Sequence, residues 1–114
     1  MEENRIKDFW LWFNSISNEL ESNFRNEILL KQLDKKIDHL GNFTWEIGPG
    51  RKEPNMLVIS PNGNVDLLED TKQIIDLVPK IKRWEFYYAK QPRINESEYL
   101  IYFLNQQVSI NISN

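Results

Sequence analysis

The chain has no cysteine among its 114 residues and a single histidine, His39. The first absence excludes a disulfide scaffold, a thiolate metal site and a cysteine nucleophile, and it suits a reducing cytoplasm. The second leaves a metal or acid–base site little to build on, because no His/Asp/Glu cluster at ligand spacing surrounds His39. Long hydrophobic runs are missing too. The apolar cluster from Phe9 to Phe13 is far too short to span a bilayer. The opening Met1-Glu2-Glu3-Asn4-Arg5 is acidic and leads into no apolar segment of a secretory signal. Positive charge is not in excess, 14 Lys/Arg against 17 Asp/Glu for a net charge of -3, which argues against a nucleic-acid binder with a broad basic face. The exception is local: Lys80, Lys82, Arg83, Lys90 and Arg93 face only Glu85 within residues 80–93. What is present is a hydrophobic fraction of 40% with 12% aromatic residues, enough for one core carried by a few large rings. The length fits a single domain over residues 1–114.

Periodicity supplies the fold class. Ile6, Phe9, Trp10, Phe13, Ile16 and Leu20 recur at three- and four-residue steps, the stripe of an amphipathic helix. Leu11 and Trp12 fall off that stripe. The pattern loses phase around Ser22-Asn23, and a second helical run from about Arg25 to Leu40 follows, either as a bend or as a separate helix. Gly41 is its expected stop, in a left-handed conformation. Phe43, Trp45 and Ile47 alternate with polar residues, and Met56 to Ser60 is a continuous apolar run, so both read as strands. Pro61-Asn62-Gly63-Asn64 predicts a turn, with Asn62 or Asn64 capping a helix over Val65 to Val78 that Pro79 ends. Trp84, Phe86 and Tyr88 give a third strand. Tyr99 to Leu104 and the alternating Val108, Ile110 and Ile112 give two more. The expected architecture is α+β, two-layer, with helices on one face of a mainly antiparallel sheet in the order ααββαβββ.

Each candidate site has a plainer reading beside it. Gly48-Pro49-Gly50-Arg51 is either a loop whose amides approach an anion, with Arg51 and Lys52 alongside, or a conformationally demanding turn. The second is favoured because a strand follows and Pro49 lacks an amide. Glu46 and Glu85 each sit between apolar neighbours. Paired on adjacent strands they would suit general acid chemistry of the glycosidase kind, but two solvated residues on a polar sheet face are commoner. The basic island with Trp84, Tyr87 and Tyr88 suggests a single-stranded nucleic-acid platform, or more simply core rings beside a solvated edge. Ser60 has no nucleophile-elbow pattern around it.

These residues carry a resemblance. Phe9-Trp10 and Trp12-Phe13, then Trp45-Glu46-Ile47-Gly48-Pro49-Gly50, Leu57 through Gly63, Val78-Pro79, Trp84-Glu85-Phe86 and Pro92-Arg93 make the chain similar to a family of small uncharacterised bacterial proteins. The resemblance covers about the first four fifths of the chain and implies no catalytic residues. The function expected is a cytoplasmic, non-enzymatic protein-interaction module of immunity or adaptor type, binding through Glu46, Arg51, Glu85, Tyr87 and Arg93. No motif implies a cofactor, a metal, nucleic acid or a membrane. The alternatives are a small-ligand pocket or enzyme near Glu46, Arg51 and Glu85, and a homodimer through the aromatic first helix.

Overall fold

The computed structural model describes residues 1–90. Arg93 and the two strands expected over 99–104 and 108–112 lie outside the described residues. Two separate helices open the chain: α1 (Glu3–Ser22) and α2 (Glu27–Leu40). Their break is set by Asn26, whose side chain accepts a hydrogen bond from the Leu29 amide and so caps α2. Gly41 ends α2, but with φ 164 it is extended rather than left-handed. A Cβ here would lie 2.7 Å from the tip of the Phe43 ring, which would have to shift to admit a larger residue.

Strand β1 (Thr44–Pro49) pairs antiparallel with β2 (Asn55–Ser60), with Glu46 opposite Val58 and Gly48 opposite Met56. The helix expected over Val65 to Val78 is shorter and has two parts. A 3-10 turn (Val65–Leu67) is capped by the Asn64 side chain, and α3 (Leu68–Asp76) follows. This helix carries the chain back across the sheet, so β3 (Trp84–Tyr87) starts at the same end as β2 and pairs with it in parallel. The sheet is therefore mixed, in the order β1-β2-β3. Of the mainly antiparallel sheet expected, the β1–β2 pairing is antiparallel, while the helical crossover makes the β2–β3 pairing parallel.

Period-two alternation sorts the strand residues between faces. Trp45, Ile47, Leu57, Ile59 and Trp84 join the stripes of α1, α2 and Ile74 of α3 in one large core. On the other face Met56 and Val58 form a small second cluster with Tyr87. Aromatic rings tie the first helix to the last described strand. Trp10 meets Phe86, and Phe13 meets Trp84, each edge-on with centroids 5.0 Å apart. Trp12 packs beside Phe9 and Phe13, with the Lys36 ammonium 5.5 Å from its ring. Among the described residues no helix is long and apolar enough to cross a membrane.

Candidate functional site

The polar loop between β1 and β2 is built around one carboxylate. Its neck is closed by the Gly50 amide donating to the Pro54 carbonyl at 3.1 Å. Three consecutive amides of the loop then turn inward: Arg51 donates to Glu85 Oε2 at 2.6 Å, while Lys52 and Glu53 each donate to Oε1 at 2.8 Å. The Tyr87 hydroxyl completes the set, donating to Oε2 at 2.7 Å. Strand geometry accounts for that last bond, since residues two apart on β3 share a face. Gly50 permits the close approach. A Cβ there would lie 2.3 Å from the Glu53 carbonyl oxygen and 3.0 Å from the Glu85 carboxyl carbon.

The electrostatics follow. Burial pushes the Glu85 pKa up. Against it act the amides of Arg51 and Glu53, the Tyr87 hydroxyl and the Lys52 amide, and together they hold the carboxyl below the usual carboxylate range. The loop is thus an anion cradle and a demanding turn at once, and its anion belongs to the protein itself.

A second junction lies beside it. Asn55, 4% exposed, donates to the Arg83 carbonyl through its backbone nitrogen and its side chain. Arg83 adopts a left-handed φ of 73, and its guanidinium meets Glu21 at 2.7 Å. Hydrogen bonds from Arg83 and then Asn55 hold the Glu21 carboxyl below its ordinary range. Sequence reasoning placed Arg83 in the basic island but missed its pairing, and it missed Asn55 and Glu21. An asparagine at the edge of an apolar run carries no signal that it will be buried, and the Glu21–Arg83 contact joins residues far apart in the chain.

The other expected site residues are placed as follows. Glu46 is buried, at 7% exposure, so it is not the solvated residue of the plainer reading. It shares a sheet face with Glu85 but stands two strands away, on β1 rather than β3, with β2 between them. Adjacent strands are about 4.8 Å apart, so the two backbones are roughly 10 Å apart across the sheet. The Glu85 carboxylate is meanwhile turned toward the loop. Tyr87 is half-buried, and Arg51, Lys52, Glu53 and Pro54 are exposed at the loop tip. His39 is exposed in the last turn of α2, where its carbonyl accepts from Arg5. The Ser60 hydroxyl is 2.8 Å from that of Thr44 in a cross-strand pair, which gives it a structural partner. Among the described residues no three His, Cys, Asp or Glu side chains converge as a metal site.

A cleft of about 450 Å³ opens at the other end of the sheet, lined by Thr44, Ser60, Asn62, Asn64, Leu68 and Lys90 among others. It includes none of Glu46, Arg51 and Glu85. The pocket expected near those residues is thus not the cleft found here. Comparison of the chain with family profiles, with curated proteins and with solved structures finds no match.

Proposed function

We propose that this chain is a non-enzymatic protein-interaction module of a bacterial cytoplasm, and that the β1–β2 loop is the element it presents. One observation carries the reading. Glu85 clamps the amides of Arg51, Lys52 and Glu53, so an exposed, charged loop tip is held in one shape before any partner arrives. Preorganisation removes part of the ordering cost of binding, which is what a docking loop requires. The same clamp turns the Glu85 lone pairs inward, which suits a structural role better than acid–base work. Immunity- or adaptor-type function, the resemblance to small bacterial proteins and the complete two-layer order ααββαβββ belong to this reading. Self-association through α1 is less favoured. Trp10 is buried with its indole donating to Ile74, and Trp12 is packed under Lys36, so these rings are engaged within the chain.

The test is a tagged pull-down from the native lysate, run beside an Arg51→Ala/Lys52→Ala variant of matched melting temperature. One protein recovered by the wild type and lost by the variant is the expected result. Identical recovery by both would reject the loop as the docking element. A second reading, small-ligand binding, draws on the cleft beside Ser60 and Asn64. A thermal-shift screen in which Asn64→Ala removes a ligand-induced shift would support it.

A further inference from the structure

We infer that the end of the sheet bearing the β1–β2 loop docks an acidic protein surface. The inference rests on the interaction reading above and names the chemistry of the partner. Because β1 runs antiparallel to β2 and β3 parallel to it, the loop of residues 50–54 and the segment of residues 77–83 emerge at the same end. The bonds from Asn55 to the Arg83 carbonyl hold the two segments side by side. Exposed Arg51 and Lys52 from one segment thereby join exposed Lys80, Lys82 and Arg83 from the other. The local acids offset part of this charge, three carboxylates against five cations. Glu21 is bound to the Arg83 guanidinium, and Glu85 is enclosed by the loop amides and Tyr87. Glu53 is the acid left on the loop surface. Lys52, Lys80 and Lys82 have no ion pair among the described residues. A concentrated positive end on a chain of net charge -3 makes a directional field, which attracts an acidic partner to one face and repels it from the rest.

Protein fits this end better than nucleic acid does. Trp84 is buried and Phe86 packs against the core, so neither of these rings is open for a base to stack on. The Tyr88 ring lies beyond β3, with the Lys72 ammonium 5.7 Å from it.

The experiment measures binding of a labelled oligoglutamate peptide by fluorescence anisotropy at low and at physiological salt. Wild type is compared with Lys80→Glu/Lys82→Glu and with Lys7→Glu/Lys35→Glu, which makes the same charge change away from this end. The expected result is salt-sensitive binding that the first variant weakens at least about tenfold and the second leaves nearly unchanged. No binding by wild type, or equal loss in both variants, would overturn the inference. So would tighter binding of a single-stranded oligonucleotide than of the peptide. In the pull-down, a partner lost by Arg51→Ala/Lys52→Ala but retained by Lys80→Glu/Lys82→Glu would reject the acidic-surface inference and leave the interaction reading standing. A partner retained by both variants would reject both.

Discussion

Asn55 grips the Arg83 carbonyl twice, from its backbone nitrogen at 3.1 Å and its side-chain nitrogen at 3.0 Å. The grip joins the first residue of β2 to the residue just before β3, and it steadies a left-handed arginine. Asn55→Ala keeps the backbone bond and removes the side chain's, together with its hydrogen bond to Glu21. It should lower stability by about 1 kcal/mol, read as a lower urea midpoint with an unchanged slope.

Glu85→Gln leaves the loop amides and the Tyr87 hydroxyl facing a neutral side chain with only one good acceptor. A loss of roughly 1.5–3 kcal/mol is expected, as for hydrogen bonds to a charged group. The pH dependence has a definite sign. The folded carboxyl titrates below its ordinary value of 4.5, so its stabilising contribution is complete above that value. It fades as pH falls through the folded pKa. The difference between wild type and Glu85→Gln should therefore be flat at neutral pH and shrink in acid, as followed by urea denaturation across a pH series.

Gly50→Ala places a methyl group against backbone carbonyls rather than against movable side chains. The loop must then open, at a cost of roughly 1–3 kcal/mol. Gly63→Ala is the contrast: its Cβ meets nothing within 4 Å, but φ +73 strains it by about 1 kcal/mol. Thermal denaturation should rank the two. Amide shifts of Arg51 to Glu53 should move in the first variant and stay in the second.

Among the described residues, the buried indole nitrogen of Trp84 has no hydrogen-bond acceptor. Trp84→Phe removes that orphan donor along with some ring area, two effects of opposite sign. A net change within about 1 kcal/mol is expected. Trp10→Phe should cost more, about 1–3 kcal/mol, because it strips the buried bond to the Ile74 carbonyl as well as the area. Chemical denaturation of the two variants makes the comparison.

The helices were legible in the sequence because their stripes obey one period. Ile6 to Leu20 and Leu29 to Leu40 mark buried faces that the structure retains. Strand positions around Trp45, Leu57 and Trp84 were equally clear from alternation and apolar runs. The direction of β3 was not, since the Trp84-Glu85-Phe86 pattern is the same whichever way the strand runs. The Gly-Pro-Gly loop announced itself, yet nothing local says that Glu85, 34 residues after Arg51, supplies the anion. The buried state of Glu46 was hidden for a related reason. Alternation told which face it takes, and not whether that face meets solvent.

The helical crossover before β3 also bears on the order in which the chain assembles. β1 and β2 are joined by a short loop, and their pairing closes early at small entropic cost. β3 pairs with β2 only after the whole crossover has been gathered in, and its rings then meet α1 from the far side of the described chain. Contacts so distant in sequence are expected to form late in the folding transition. Ile47→Val in the hairpin should slow refolding, while Phe86→Leu should chiefly hasten unfolding. Stopped-flow chevrons that reversed the pair would place β3 in the nucleus instead. Lifetime of the native state, more than speed of reaching it, is then what the α1–β3 aromatic seam controls.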